Sequence, residues 1–265
     1  MSIDDCIIGL YVRVDEILHD HPKHDQARLY PSEVVTLGLL FALKGLGPRP
    51  FYTWLVDNYA DYFPKLPERT RLFRFTQRVP DAHADLTEFF LAQPTLLGIA
   101  DTFGIELRHP LREGRAAMQI GNKGKSNHRW IVGAKLACLL NQYGFVVAWE
   151  YGGAGRADNS FEELIADFAD ESVVFVDSAF HSKEGDPLNQ KVCERGTNNE
   201  RMLIEQVFSL LTRVLHLKKV SHRSWDGLRT RLAYVLALFN TLLAWDGFPV
   251  DDDGNVVLSI ANFVI

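Results

Sequence analysis

Along the first part of the chain, apolar positions recur every three or four residues. Ile7, Leu10, Tyr11, Val14 and Leu18 fall on one helical face, after a Ser2-x-x-Asp5 start with the form of a capping box. Ser32 is expected to N-cap a second helix, Glu33 to Lys44, ended by Gly45-Leu46-Gly47-Pro48. A third helix is expected from Pro50 to about Tyr62, a fourth from Glu68 to Val79, and a fifth from an Asp81 cap through Leu91. No strand-like alternation occurs here. The spacing predicts an all-helical N-terminal module, residues 1–94.

The period changes near Pro94. The segment "TLLGIADTFGIEL" is β-like, and "RWIVGAKLACLLNQYGFVVAWEY" reads as two strands joined at Asn141-Gln142-Tyr143-Gly144. Asp158 to Phe168 is expected to be helical, and Val173 to Val176 a buried strand. Thr197-Asn198-Asn199-Glu200 is a capping box for a helix through Leu215, and Trp225 to Trp245 forms a last, strongly apolar helix. Residues 95–265 thus read as an α/β unit, a mixed sheet flanked by helices.

Composition narrows the class. With 47% hydrophobic and 23% charged residues, the chain can bury a large core. The start, Met1-Ser2-Ile3-Asp4-Asp5, is acidic where a signal peptide would be basic, and no apolar run approaches the ~20 residues of a membrane helix. Cys6, Cys138 and Cys193 are too few and scattered for a disulfide framework or zinc site, so reduced thiols and a cytoplasmic location are expected.

The net charge of −6 conceals two basic segments. Arg108, Arg112, Arg115, Lys123, Lys125, Arg129 and Lys135 are opposed in their segment by Glu113 alone. Arg195, Arg201, Arg213, Lys218, Lys219, Arg223, Arg229 and Arg231 form the second, against Glu200, Glu205 and Asp226. Either a polyanion or solvent could face them.

Two Asp residues follow apolar runs: Asp101 after Leu97-Gly98-Ile99-Ala100, and Asp177 after Val173 to Val176. Each reads as a strand-end carboxylate, although Asp is common in turns. Glu205 lies at the margin of a helical face made by Ile204, Val207, Phe208, Leu211 and Leu215, four residues after Arg201. Three converging carboxylates would need a cation between them, and hard divalent ions take oxygen ligands. The alternative for Glu205 is a surface pair with Arg201.

At these residues the chain resembles the insertion-sequence transposases of the DDE type, which have a ribonuclease H-like catalytic domain. "PSEVVTLGLLFALKGLGPRPFYTWLVDNYADYFPKLPERTRLFRF" is similar to the helical N-terminal region of one branch. "ADTFGIEL" resembles the first Asp motif, "RWIVGAKL" the Gly-x-Lys-Leu strand, and "GRADN" a short motif ending in Asp. "VVFVDSAF" resembles the second Asp motif and "NNERMLIEQVFSLLTR" the Glu motif. The resemblance implies a ribonuclease H-like mixed sheet, with Asp101, Asp177 and Glu205 as catalytic metal ligands for two Mg²⁺ or Mn²⁺ ions. It also implies double-stranded DNA as substrate, cut at element ends and joined to target DNA, and a homodimer or larger assembly on that DNA in the bacterial cytoplasm. Arg201, Arg213, Lys135, Arg129, Arg71, Arg74 and Arg78 are the expected DNA contacts.

The chain departs from the motifs at Ser178-Ala179-Phe180, where Lys-Gly-Tyr is usual, at Asn198 in place of Tyr, and at Thr212 in place of Lys. The short interval between Asp177 and Glu205 leaves room only for a brief fifth strand, around Gln190 to Cys193. A nuclease without strand transfer and a decayed, DNA-binding derivative are the alternative readings. Trp130, Trp149, Trp225 and Trp245 are assigned to the core, and His19, His21 and His24 to a solvated loop.

Overall fold

The computed structural model describes residues 2–78, 89–115, 118–126, 129–193 and 201–245, with the side chains of Arg78 and Arg201 excepted. The first helix, α1 (Ile3–Leu18), has the expected capping box: Ser2 Oγ accepts from the Asp5 amide, and Asp5 accepts from the Ser2 amide. The second, α2 (Pro31–Lys44), begins two residues before the expected start. Proline has no N–H to leave orphaned and a φ already helical, so Pro31 takes the first helical position and Ser32 is buried within the first turn. The Tyr30 amide donates to Glu33 Oε2 at 2.7 Å. Gly45, at φ 60°, ends α2 in the left-handed conformation that costs glycine least.

Proline also explains the early start of α3 (Pro48–Tyr59), which tightens into a 3₁₀ turn, Ala60–Tyr62. Helix α4 follows (Arg69–Arg78). The helix expected from Asp81 falls largely outside the described residues, as does the capping box at 197–200.

Strands β1 (Leu97–Arg108), β2 (Asn122–Ser126), β3 (Arg129–Asn141), β4 (Val146–Gly153), β5 (Val173–Val176) and β6 (Gln190–Val192) form one mixed sheet. The order is β2-β3-β1-β5-β6, with β4 beside the second half of β3. β1 is antiparallel to β3 and parallel to β5, and β5 is parallel to β6. β3 and β4 form the expected hairpin; Asn141 Oδ1 accepts from the Tyr143 and Phe145 amides inside its turn. β2 was not anticipated, because its sequence, Asn-Lys-Gly-Lys-Ser, has no apolar alternation to read.

Parallel pairing requires a crossover. The chain from β4 to β5 makes it through a 3₁₀ turn (Asp158–Phe161) and the one-turn α5 (Glu163–Ala166), shorter than the helix expected over this stretch. Phe161, Leu164 and Ile165 cover one sheet face with Ala100, Ala137, Leu139, Val174, Val176 and Phe180. The other face, with Ile99, Phe103, Ile105, Leu136 and Cys138, joins a second core. That core takes in α1, α2, α6 (Arg201–Arg213) and α7 (Trp225–Trp245). The result is helical layers on both sides of a mixed sheet.

From Leu228 to Leu243, α7 is buried at every position except Arg229. A helix apolar all round belongs in a core, and among the described residues none is long and apolar enough to cross a membrane. Gly38 of α2 lets α7 approach: a Cβ there would lie 2.1 Å from the Tyr234 ring. Buried Arg231 donates to the Phe41, Ala42 and Leu215 carbonyls. These oxygens lie at the C-terminal ends of α2 and α6, where helices leave carbonyls unpaired and favour positive charge. Asn240 fastens α7 to the sheet, accepting from the Val146 amide and donating to the Val146 and Phe90 carbonyls.

Asn240→Ala removes those three buried bonds. It is expected to lower stability by about 3 kcal/mol, read as a lower urea midpoint at unchanged slope. A pH effect follows from the histidines near Arg231. His222 is pushed down to about 4, first by burial and then by the Arg231 charge; His216 is lowered for the same reasons. A histidine whose folded pKa lies below its unfolded value near 6.5 binds fewer protons in the native state. Its contribution is whole above pH 6.5 and is lost as pH falls toward 4, on the order of 3 kcal/mol for His222. Urea midpoints at pH 7 and 4.5 should differ less in His222→Gln than in the unmutated protein.

Candidate active site

β5 ends because the backbone at Asp177, still extended, leads into the 3₁₀ turn Ser178–Phe180, and the Asp177 side chain caps that turn. Its Oδ1 accepts from Ser178 Oγ at 2.9 Å and from the Ala179 amide at 3.3 Å. Phe180, buried, then anchors the turn under the sheet. The local role of an Asp in a turn is therefore present.

Asp101 differs from its expected place. It is not at a strand end, because β1 continues to Arg108. It stands opposite Cys138 of β3, and its Oδ1 accepts from the Thr102 amide at 2.7 Å. Burial, and then the Asp101 charge, push the Cys138 thiol well up and keep it protonated.

The register between β1 and β5 relates the two acids. Leu97 pairs with Val173, Gly98 with Val174 and Ile99 with Phe175. The same offset carried two residues on sets Asp101 level with Asp177. Side chains alternate along extended backbone, so Asp101, and Asp177 just past the end of β5, are expected on the face of Ile99 and Phe103.

Helix α6 packs on that face. Phe208 meets Phe103 with ring centroids 4.6 Å apart, and Ile204, Val207 and Leu211 are buried. Beyond α6 the chain returns alongside β1: the Glu106 amide donates to the Lys218 carbonyl, and the Val220 amide to the Glu106 carbonyl. The C-terminal end of α6 therefore lies by Glu106, and its N-terminal half points back toward Asp101. Glu205, one turn before Phe208, is exposed there.

Among the described residues, no three His, Cys, Asp or Glu side chains are gathered closely enough to hold a metal ion. The β1–β5 register carries Asp177 toward the level of Asp101, and Glu205 is exposed on α6. The donor chemistry fits a hard divalent cation, which uses one or two carboxylates and completes its shell with water or phosphate oxygen.

The expected DNA contacts divide. Arg71 and Arg74 are exposed on α4, and Arg213 in the last turn of α6; the side chains of Arg78 and Arg201 lie outside the described residues. Arg129 is half-exposed and reaches buried Glu106 at 3.6 Å, where Lys219 also arrives at 3.2 Å. Lys135 is spoken for. Its Nζ lies 2.7 Å from Asp158 Oδ1, which also accepts from Thr102 Oγ1 at 2.7 Å. Lys135 and Thr102 project to the sheet face opposite Asp101, and their side chains hold the first residue of the crossover against it. The "GRADN" Asp and the "GAKL" Lys are thus partners of each other, a pairing that sequence separation concealed.

The three loop histidines have separate local roles. His19 pairs with Asp20, His21 packs edge-on to Phe89, and His24 Nδ1 accepts from the Gln26 amide. Trp130 departs from its core assignment: it is 59% exposed.

With side chains only 12% and 24% exposed, the Lys135–Asp158 pair resists solvent screening. Lys135→Met should cost about 2 kcal/mol in chemical denaturation, because it strands the Asp158 carboxylate. Compared with family models and with curated proteins, the sequence gives no match.

Proposed function

We propose that this chain is a DDE-type DNA transposase with a ribonuclease H-like catalytic domain. The observation that supports the reading is the parallel β1–β5 register, whose offset continued two residues carries Asp177 opposite Asp101 on the face against which α6, the helix of Glu205, packs. The strand arrangement supports it: a first strand at the centre, antiparallel neighbours on one side, and two parallel strands on the other. The sequence motifs around the three acids agree with the same reading.

Asp101 and Asp177, with Glu205 completing the set, would hold divalent ions. Such ions, Mg²⁺ or Mn²⁺, neutralise charge on the scissile phosphate and on the attacking and leaving oxygens. The chain's own contribution is positioning. Fixed strand positions set the acids, and α6 covers one side of the site. Exposed Arg71, Arg74, Arg129 and Arg213, with Arg78 and Arg201, bind the duplex backbone. Lys135 is left out of this set, since Asp158 holds it.

Water would attack phosphorus at the element end, breaking the P–O3′ bond. The departing 3′-oxygen leaves as a hydroxyl. That hydroxyl would then attack a target phosphodiester, forming one P–O bond as another breaks. Such chemistry depends on alignment and charge stabilisation rather than a protein nucleophile.

The test uses DNA spanning the ends that flank this gene, a supercoiled target, and Mg²⁺ or Mn²⁺. The unmutated protein should cut and join, and Asp177→Ala and Asp101→Ala should each reduce both products by roughly a hundredfold or more. Cutting without joined product would identify a nuclease. Binding without cutting by any of the three proteins would identify a DNA-binding derivative.

A further inference from the structure

β2 and the first half of β3 form a basic ribbon around an exposed aromatic ring. Lys125 pairs with Trp130, and Lys123 with Val132. Residues directly opposite in an antiparallel pair share a face, and diagonal neighbours are within reach of long side chains. Lys123 Nζ lies 5.3 Å from the Trp130 ring centroid. Both lysines are exposed, and β2 is the terminal strand of the described sheet on that side. Glu106 of β1 pairs with Gly133 and so takes the opposite sheet face, where it is buried and held by Arg129 and Lys219. It does not offset the two lysines.

Leaving a tryptophan in water forgoes ~1.5–3 kcal/mol of burial, and this ring sits among cations on a surface strand. The charge complements a polyanion, and the ring complements a flat apolar face. In duplex DNA the base faces are already stacked on one another. In a single strand they are available, and stacking on an aromatic side chain tolerates any sequence.

We infer that this ribbon is a binding platform for single-stranded nucleic acid, with Trp130 stacking on an unpaired base and Lys123 and Lys125 contacting the flanking phosphates. The inference rests on the proposed function only in taking the polyanion to be nucleic acid. It requires neither the carboxylates nor cleavage.

The experiment is fluorescence anisotropy with a labelled oligo(dT) and a labelled duplex lacking element ends, in metal-free buffer at two salt concentrations. Trp130→Ala should weaken oligo(dT) binding about tenfold or more and change duplex binding little, whereas Trp130→Phe should keep most of the affinity. Lys123→Gln and Lys125→Gln should each flatten the dependence of log affinity on log salt by about 0.7. Equal oligo(dT) binding by Trp130→Ala and the unmutated protein would overturn the inference. So would an equal loss on duplex and single strand, or a Trp130-dependent loss seen only on anionic phosphatidylserine vesicles. Because the probe carries no element end and the buffer no metal, failure to cut or join DNA would leave a positive result standing.

Discussion

The parallel pairing of β1 with β5 is the constraint on which the remainder of this structure turns. Two strands can run side by side in the same direction only if the chain crosses over one sheet face between them. Here the crossover is short, and it is held by Asp158 bonded to Lys135 and Thr102. The offset of that same pairing, continued two residues, carries Asp177 toward the level of Asp101.

The two sheet faces divide the work. The face with Ala100, Val174 and Val176 is closed by Phe161, Leu164, Ile165 and Phe180. The opposite face receives α6 and α7 together with the N-terminal helices, in one continuous core. Because α7 is apolar around its circumference, it can sit between α2 and the sheet. Its polar residues then act as fasteners: Arg231 on the carbonyls ending α2 and α6, and Asn240 on β4. The placement of α6 over Asp101 depends on this support, since the end of α6 is tied through Leu215 to Arg231.

Charge is distributed by the same logic. Lysines and arginines that look alike in sequence have three different fates. Lys135 and Arg231 are bound internally, Arg129 and Lys219 clamp Glu106, and Lys123, Lys125, Arg71, Arg74 and Arg213 remain at the surface. Charge is most available to a partner in the last group, and half-exposed Arg129 keeps part of its own.

The sequence alone determined most of the described helices and strands, because period and caps are local properties; the helix expected from Asp158 to Phe168 shrank to a 3₁₀ turn and one α turn. The Ser2–Asp5 box, the Asn141–Gly144 hairpin, β5 and the largely buried α7 were all legible. Helix starts at Pro31 and Pro48 were displaced by two residues; at Pro31 proline geometry outweighed the capping preference of Ser32. The polar strand β2 gave no apolar signal, since pairing with β3 rather than burial makes it a strand. Tertiary structure decided which residues meet: Lys135 with Asp158, Arg231 with the ends of α2 and α6, and Trp130 with Lys123 at the surface. Such meetings depend on topology and on which face each side chain takes, and local sequence carries neither.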